Sequence, residues 1–361
     1  MIIKKLNLTY FRGFGSFVLD GLKPFTIIAG RNNVGKTSIL EGLYYLAQRN
    51  MAVTPGQLVL SRQMGLARRE LSSLFLNMDD NGEILIQGEF SDGSYRSVGL
   101  EKTGRNPVEM NLESEDSISM ADAEQMPVYG QQSTALAADG RESHALSLLY
   151  FTKDMYKARE QELTKKGAAC DRAWDDTWKC HYYQTRGLRA RTKIYELLFK
   201  AKKEQALLGC LQWMDDRVRD IVFAGEQLLV DIGVKGVRFP VEVMGDGMVK
   251  ITDVLALVAL ANPGDVVCID EAENGLHYSV LKTFISALAK LAQTNGVQII
   301  MTTHSREFLE HVADEDLEPV LGPTDFFGFK NLIRNGPAEI DQVDYDYEQF
   351  AEAVRNGMEV R

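Results

Sequence analysis

The sequence of 361 residues is 45% hydrophobic and 25% charged, which is typical of an ordinary globular protein with two domains or one elaborated domain. Asp and Glu total 51 against 40 Lys and Arg, and this net charge of -11 opposes the long-range attraction to phosphate backbones that an autonomous nucleic-acid-binding protein needs. The four cysteines form no CxxC pair, which excludes zinc and disulfide scaffolds and indicates reduced thiols. No apolar stretch approaches the roughly 20 residues of a membrane span, so we expect a cytoplasmic protein without membrane contact.

The first elements along the chain are strands that lead into a tight loop and a helix. Residues 2–8 and 16–19 alternate apolar and polar side chains, which predicts two half-exposed strands, and the apolar run 25–29 predicts a buried strand. A helix is predicted from Lys36, because apolar residues recur at helical spacing over 39–46. The predicted order is therefore strand, tight loop, helix.

The middle of the chain combines a hairpin with a long segment that lacks strand patterns. Residues 55–76 look helical, whereas 83–90 and 95–101 alternate around a Ser-Asp-Gly-Ser turn, which is typical of a β-hairpin. Residues 113–124 are predicted to be a loop. Residues 144–223 are rich in helix formers, so we interpret them as an inserted helical arm.

Regular α/β alternation returns after the arm. Strands are predicted over 228–232, 237–243, 266–269 and 297–302, and helices over 248–261, 278–291 and within 344–361. Such βα crossovers build a parallel sheet that is covered on both faces. We therefore predict one α/β nucleotide-binding fold, with an N-terminal part over 1–143, the arm over 144–223 and a C-terminal part over 224–361.

Residues 30–37, Gly-Arg-Asn-Asn-Val-Gly-Lys-Thr, fit the phosphate-binding pattern G-x-x-x-x-G-K-[ST] between a buried strand and a helix. Glycines let backbone N–H groups turn toward phosphate oxygens, and the helix N-terminus adds a positive dipole. Lys36 would bridge the β- and γ-phosphates, and the Thr37 hydroxyl would ligate Mg²⁺. The predicted cradle consists of Gly30, Asn32, Asn33, Val34, Gly35, Lys36, Thr37 and Ser38. The alternative, a glycine-rich turn that only caps a helix, is disfavoured by the flanking strand and helix.

The strand over 266–269 is followed by two adjacent carboxylates. Asp270 would hold Mg²⁺, and Glu271, which points in another direction, would orient or deprotonate the attacking water. Taken alone, such a pair is equally often a solvated strand end or a helix cap.

Two weaker motifs accompany this pair. His304, after the next strand, could contact the γ-phosphate or the attacking water, or be an ordinary polar residue near a helix start. In Met-Gly-Asp-Gly-Met at 244–248, Gly245 and Gly247 allow close approach of an anion, although Asp246 as a plain N-cap is the preferred interpretation of this motif alone. The shared order of loop, acids and histidine, each after a buried strand, favours one nucleotide site.

This order of elements resembles the ABC-type ATPase head of the SMC, RecF and OLD group, in which an inserted arm separates two halves of the ATPase. Residues 8–14 resemble the N-x-F-R-x-F start of these heads, and 30–38 resemble their G-x-N-G-x-G-K-[ST] loop, with Asn33 where glycine is commonest. Residues 244–248, 270–277 and 303–305 resemble the degenerate signature, the acidic strand with its following loop, and the switch histidine of a bacterial AAA-type branch related to OLD ATPases. Residues 144–223 match nothing in it.

The resemblance implies a P-loop NTPase head with a mixed sheet that binds and hydrolyses ATP with Mg²⁺. It implies Lys36, Glu271 and His304 as catalytic residues and adds Arg12 to the nucleotide-binding set. Gly245 and Gly247 would contact the γ-phosphate of ATP on a second subunit, so that ATP joins a homodimer or higher homo-oligomer, with residues 274–276 at the same interface. Asp246 departs from ABC signatures, and Gln57, Gln63 and Gln87 are unspecific candidates for the Q-loop glutamine.

The implied function is ATP hydrolysis that controls a separately encoded effector, such as a nuclease, in anti-phage defence or DNA maintenance. The alternatives are an ATP-dependent scaffold or sensor with negligible turnover, and a RecF-like repair ATPase that binds DNA itself. Too few residues follow His304 for a TOPRIM domain, and the acids of 341–346 are interpreted as a solvated turn before a helix.

The arm holds the main basic concentration, interleaved with Tyr182, Tyr183 and Tyr195. Its members are Arg186, Arg189, Arg191, Lys193, Lys200, Lys202 and Lys203. A solvated helix face is the first interpretation, and a patch for DNA, RNA or an acidic partner protein is the functional alternative.

Overall fold

A computed structural model describes residues 1–48, 54–62, 71–103, 128–140, 142–151, 156–161, 178–183 and 188–358. The strands are β1 Ile3–Phe11, β2 Phe14–Leu19, β3 Phe25–Gly30, β4 Ile84–Phe90, β5 Tyr95–Thr103, β6 Val128–Leu136, β7 Glu142–Phe151, β8 Tyr156–Gln161, β9 Cys180–Tyr183, β10 Asp220–Ala224, β11 Gln227–Asp231, β12 Phe239–Pro240, β13 Val266–Ile269, β14 Gln298–Thr302, β15 Phe327–Arg334 and β16 Ile340–Tyr345. The helices are α1 Lys36–Ala47, α2 Thr54–Ser61, α3 Leu188–Lys200, α4 Glu204–Met214, α5 Asp246–Leu260, α6 Tyr278–Asn295, α7 Arg306–Val312, α8 Glu318–Leu321 and α9 Tyr347–Arg355. The predicted loop over 113–124 lies outside the described residues.

The phosphate loop follows the central strand of a six-stranded sheet with the order β16-β15-β3-β14-β13-β9. The neighbours from β15 to β9 are parallel, and β16 is antiparallel to β15. Strand β3 comes from the beginning of the chain, whereas β14 and β15 on either side of it come from the C-terminal part. This architecture confirms the predicted α/β fold with a mixed sheet assembled from both halves.

Both faces of this sheet are buried, because successive side chains of a strand point to opposite faces. Ile27 and Ala29 of β3 face one hydrophobic cluster, which contains much of α5 and α6, while Ile28 faces a second cluster with α1. This two-sided burial explains the uninterrupted apolar run that the sequence shows at β3.

A second, antiparallel sheet has the order β2-β1-β4-β5-β6-β7-β8, and a small antiparallel sheet has the order β10-β11-β12. Apolar residues of β1, β2 and β4 share the second cluster with α1, so the larger antiparallel sheet and the mixed sheet enclose this helix. The predicted hairpin is confirmed as β4 and β5, with a register that pairs Glu89 with Tyr95.

The interpretation of 144–223 as helical throughout is wrong. Helices α3 and α4 lie there, but β7, β8 and β9 lie there too. β9 pairs with β13, a strand far away in sequence, and β7 pairs with β6 across a short turn. Tyrosine side chains such as Tyr182 and Tyr183 favour a pleated, half-buried surface, and this preference outweighs the helix formers around them.

Three further element predictions need correction. Residues 237–243 contribute only the short β12 before a 3-10 turn. Within the predicted helix over 55–76, α2 confirms the part up to Ser61 and residues 63–70 lie outside the described residues, whereas 3-10 turns over Ser72–Leu74 and Leu76–Met78 replace the α-helix at its end. Residues 341–346, expected as a solvated turn, belong mainly to β16, an edge strand whose acidic side chains point largely to solvent. Alternation of polar and apolar side chains on an edge strand resembles a polar turn when its partner is unknown.

Among the described residues, no helix combines the length and the apolar character that crossing a lipid bilayer requires.

Candidate functional site

The carboxyl ends of β3, β13 and β14 meet at one edge of the mixed sheet, because the three strands are parallel neighbours. The phosphate loop follows β3, Asp270 and Glu271 follow β13, and His304 follows β14. Ligands of open α/β sheets bind at this edge. The fold therefore brings the three motifs singled out in the sequence to one place.

The backbone of the loop adopts the conformations that a phosphate cradle needs. Gly30 and Gly35 have φ values of 147° and 109°, which other residues rarely adopt. A Cβ atom on Gly30 would lie 2.7 Å from the Leu332 carbonyl oxygen. Asn33, which replaces the commonest glycine, has φ 63°, a left-handed conformation that asparagine tolerates better than most side chains. The replacement is therefore compatible with the loop.

Lys36 lies inside this loop. Its Nζ atom donates to the carbonyl oxygens of Gly30, at 2.6 Å, and Arg31, at 3.0 Å. Burial lowers the pKa of Lys36, while the carboxylates of Asp270, Glu273 and Glu271 oppose that shift. The Lys36 ammonium therefore lies close enough to the acids after β13 to be attracted by their negative charge.

The other cradle residues surround the start of α1. Val34 and Ser38 are buried, whereas Asn32 and Asn33 are exposed and Thr37 is half-buried. Gly35 is the N-cap of α1, so the helix N-terminus opens directly toward the loop.

Thr37 and Asp270 connect the two halves of the site. The Thr37 hydroxyl donates to Asp270 Oδ2 at 2.9 Å, and the Thr302 hydroxyl donates to Asp270 Oδ1 at 2.6 Å. A hydroxyl and a carboxylate, both hard oxygen donors, therefore lie side by side at the mouth of the phosphate loop, which fits Mg²⁺. Thr302 was not among the predicted site residues, and it fixes the orientation of the Asp270 carboxylate.

Glu271 is exposed and has a left-handed backbone, with φ 47°. Its N–H group donates to the Thr302 hydroxyl at 2.9 Å, and the Asn274 amide donates to Glu271 Oε2 at 3.3 Å. Its carbonyl oxygen accepts from Lys250 Nζ at 2.7 Å. The Glu271 carboxylate, which is predicted to activate water, is thus accessible to solvent, while hydrogen bonds to Thr302 and Lys250 hold its backbone.

His304 lies beside Glu273, another acid of the same loop. Glu273 Oε1 accepts from the His304 N–H group at 3.0 Å and lies 3.4 Å from its Nδ1 atom. The His304 side chain is 46% exposed and therefore accessible from the edge of the sheet. The cap of α7 is the next residue, Ser305, whose Oγ accepts from the Phe308 N–H group, so His304 does not serve as the helix cap.

The glycine motif stands at the start of α5. Gly245 has φ 97° and is the N-cap, with no side-chain capping bond, and Asp246 is the first helical residue. The preferred interpretation of Asp246 as an N-cap is therefore wrong. A Cβ atom on Gly247 would lie 3.0 Å from the Gly275 carbonyl oxygen, so the motif packs against the loop that follows Glu271. The N-terminus of α5 is exposed and has no side-chain cap, so its backbone N–H groups can bind an anion from another molecule.

Arg12 has internal partners. Its side chain is buried, with Nε donating to Glu41 Oε2 at 3.0 Å and Nη1 donating to the Ser73 carbonyl oxygen at 3.1 Å. Glu41 is fully buried and also accepts from Arg62 Nε at 2.7 Å, and Arg62 donates to Ser38 Oγ at 3.3 Å. Arg12 thus stabilises α1 through its ion pair with Glu41. Its contact with the nucleotide stays a prediction from the resemblance.

The basic side chains of the predicted arm that the structure describes do not form one patch. Arg191 donates to Asp253 at 3.0 Å with a side chain only 15% exposed, so neither the solvated helix face nor a free basic charge describes this residue. The binding of a nucleic acid or an acidic protein by the arm stays a prediction. Lys203 donates to the carbonyl oxygens of Leu260 and Ala261. Lys193, Lys200 and Lys202 are exposed, the tyrosines at 182, 183 and 195 are buried, Arg186 lies outside the described residues, and the Arg189 side chain is not described.

The Q-loop candidates remain unspecific. Gln57 accepts from the Tyr44 hydroxyl, and Gln87 donates to Tyr95 across the β4–β5 hairpin. Gln63 lies outside the described residues. By contrast, Lys250, Glu273 and Thr302 surround the acids after β13 and were not among the predicted site residues, because a single lysine, glutamate or threonine at these spacings has no motif of its own.

Comparisons with known proteins match this chain to ATPase families. A family model described as an AAA ATPase domain matches residues 1–206, and an AAA domain model described with a type IV TA system matches residues 182–310. The ATP/GTP phosphatase of Helicobacter pylori is 24% identical over 329 residues, which are 86% of this chain and 87% of that protein. The DNA replication and repair protein RecF of Histophilus somni is 26% identical over 123 residues, 34% of this chain but only 30% of that protein.

A solved structure of an SMC head, bound to the C-winged helix domain of ScpA, shares the fold. It is 12% identical with a TM-score of 0.53, and the superposition covers 98% of this chain and 100% of that chain. At this identity the likeness bears on architecture alone.

Proposed function

Because this chain belongs to the AAA ATPase domain family and has the architecture of an SMC/RecF-like ATPase head, we propose that its edge of parallel strands binds ATP with Mg²⁺ and hydrolyses it. The observation that carries the assignment is the hydrogen bond of 2.9 Å between Thr37 and Asp270, residues from opposite parts of the chain. It places the end of the phosphate loop beside the first acid after β13.

Each residue of the site has a role that follows from its position. Backbone N–H groups of the loop and the ammonium of Lys36 hold the β- and γ-phosphates. Thr37 and Asp270 would hold Mg²⁺, which supplies charge neutralisation on the phosphate oxygens when bound. Glu271 orients the attacking water and accepts its proton, and His304 lies at the neighbouring strand end to contact the γ-phosphate.

The second part of the proposal is that ATP joins two copies of this chain. A phosphate loop at the edge of a sheet leaves the γ-phosphate partly exposed, and the open N-terminus of α5 at Gly245 and Gly247 offers N–H groups to such a phosphate on another copy. Val243 and Tyr278, close to this motif and to the following loop, are 66% and 55% exposed. Large exposed apolar side chains beside a site are consistent with burial against a partner.

The third part is that the ATPase controls a separately encoded effector, as in OLD-related systems, in defence against mobile DNA or in DNA maintenance. The match to a domain described with a type IV TA system supports the former setting, and the partial likeness to RecF supports the latter.

Steady-state ATP hydrolysis tests the first part. Glu271→Gln should lower kcat by about 100-fold or more, because removal of a general base costs about 10²–10⁴ in rate. Lys36→Ala should weaken ATP binding by about 10- to 100-fold, since charge-assisted hydrogen bonds contribute about 1.5–3 kcal/mol. The control is Lys235→Ala, at an exposed turn. Unchanged ATP affinity in Lys36→Ala would refute the site, whereas negligible turnover in both wild type and Glu271→Gln would favour a nucleotide-dependent scaffold or sensor.

Light scattering tests the second part. The Glu271→Gln protein should double its mass with ATP and remain monomeric with ADP. Adding Gly247→Glu should abolish this dimer and preserve ATP binding, because a carboxylate at the start of α5 repels the γ-phosphate. Gly247→Ala is the matched control, because its Cβ meets the same Gly275 carbonyl oxygen at 3.0 Å without adding a charge, and it should dimerise normally. ATP-dependent, length-dependent DNA binding by the wild type would instead favour a RecF-like clamp.

A further inference from the structure

Lys250 connects α5 to the loop that carries Glu271. It lies in the second turn of the helix, and its Nζ atom donates to the carbonyl oxygens of Glu271, at 2.7 Å, and Asn274, at 2.8 Å. One ammonium group thus bridges the two ends of the short turn that follows Asp270.

This turn holds Glu271 in an unfavourable backbone conformation. A left-handed φ of 47° costs a non-glycine residue about 1–3 kcal/mol and persists only when surrounding contacts maintain it. Three hydrogen bonds maintain it: Thr302 Oγ1 accepts from the Glu271 N–H group, and the Glu271 carbonyl oxygen accepts from both Asn274 N–H, at 3.0 Å, and Lys250. Lys250 belongs to α5, so without it the turn would lose its hydrogen bonds to that helix.

Burial of this ammonium has a cost that the two carbonyl groups offset. Burial lowers the pKa of Lys250 to about 8, while Glu273, Glu271 and Asp270 oppose the shift. At neutral pH the group therefore still carries its charge and its three donors. The Lys250 ammonium is half-buried, and its hydrogen bonds go to backbone carbonyl oxygens of the loop that carries Glu271. It therefore stabilises the conformation of that loop.

We propose that Lys250 is a positioning residue for ATP hydrolysis, which holds the carbonyl groups of Glu271 and Asn274 so that the Glu271 carboxylate stays directed at the attacking water. The inference rests on the role of Glu271 in the proposed function. Lys250 itself need not touch ATP, because its contacts are with the backbone of the loop.

The test separates kcat from substrate binding. Lys250→Met should lower kcat by about 10- to 100-fold, because small displacements of a catalytic group have effects of that size, and should change the KM and the dissociation constant for ATP by less than about threefold. Lys250→Arg, which keeps a cation with several donors, should recover most of the loss. If the methionine variant fails to fold, Lys250→Gln, polar but too short to reach both carbonyl groups, replaces it with the same expected result.

Lys203→Met is the matched control. Lys203 also donates to two backbone carbonyl groups, Leu260 at 3.0 Å and Ala261 at 3.2 Å, but at the opposite end of α5. Its kcat should stay within about twofold of wild type, as expected for a distant, independent site. An equal fall in Lys203→Met and Lys250→Met would mean that both act through the stability of α5 and would overturn the inference.

A double mutant identifies the residue through which Lys250 acts. In the Glu271→Gln background, Lys250→Met should change residual kcat by less than about twofold, because the positioned group is already gone. A further multiplicative loss would overturn the inference, as would wild-type kcat in Lys250→Met. A wild type no faster than Glu271→Gln would instead refute the proposed function itself.

Discussion

Glu41 is a carboxylate with no exposure to solvent, in the middle of α1, and the side chains of Arg12 and Arg62 neutralise it. An isolated buried carboxylate is costly, so the arginines are required for the helix that begins at the phosphate loop to pack as it does. Arg12 also donates to the carbonyl oxygens of Ser73 and Leu58, which joins β1 to the segment around α2. The arginine of the opening motif therefore has a structural role that its resemblance did not suggest.

We expect Arg12→Met to lower the free energy of unfolding by about 3 kcal/mol, because breaking a buried ion pair leaves charge uncompensated. Denaturant titration measures this change. The control is Arg238→Met, whose pair with Asp220 is about half exposed and whose loss should cost less than about 1 kcal/mol. A tenfold weaker ATP affinity with unchanged stability would contradict this expectation and assign Arg12 to the nucleotide instead.

Helix α9 is stabilised both by a local capping motif and by packing against strand β15. Asp346 and Gln349 form a capping box at its N-terminus, with Asp346 Oδ1 accepting from the Gln349 N–H group at 2.9 Å. Phe350 on the same helix packs against Phe329 of β15, with ring centroids 4.6 Å apart and the ring planes tilted by 38°. The cap defines where the helix begins, and the aromatic contact joins it to the sheet.

Asp346→Ala should therefore reduce the free energy of unfolding by about 1 kcal/mol, the usual cost of losing an N-cap. Glu352→Ala, at an exposed position of the same helix, should change it by less than about 0.5 kcal/mol. Thermal unfolding of the two variants provides the comparison. Equal stability of both would show that the aromatic contact alone maintains α9.

Elements with local signals were predicted well from the sequence. The start of α1 at Lys36 is confirmed, as are β13 and β14 within one residue, because a buried parallel strand is a short apolar run with a defined end. β15 was missed, since Lys330 and Asn331 interrupt its apolar pattern. Lys330 is buried there only because Asp344 of β16 pairs with it at 2.7 Å.

The residues of the site also fall into a group that the sequence predicts and a group that it does not. Lys36, Thr37, Asp270 and Glu271 follow from spacing next to strands, and the structure brings them to one edge of the sheet. Lys250 and Glu273 act through partners in other elements, so no local pattern reveals them.

The whole molecule is organised around a central strand whose neighbours are remote in sequence. β3 pairs with β14 on one side and β15 on the other, and Leu332 of β15 lies against Gly30 at the start of the phosphate loop. Arg334, at the end of β15, donates to the carbonyl oxygen of Asn33 at 3.3 Å. The cradle is thus completed by residues from the C-terminal part.

Ending the chain after Gly322, which removes β15, β16 and α9, should abolish ATP binding and much of the cooperative unfolding transition, because β3 would become an exposed apolar edge. Ending it after Asn356 leaves these elements in place and should preserve both. Calorimetric titration with ATP and thermal unfolding measure the two properties. Full ATP affinity in the shorter protein would contradict the structural role of β15.

The same arrangement has a consequence during synthesis. At about 5–20 residues per second, β3 leaves the ribosome on the order of tens of seconds before the strands that flank it. During that interval the emerging phosphate loop has no rigid platform, so ATP cannot act as a template for early folding. We therefore expect the antiparallel sheet, which shares a core with Ile28, to cover one face of this apolar strand until β14 and β15 are made.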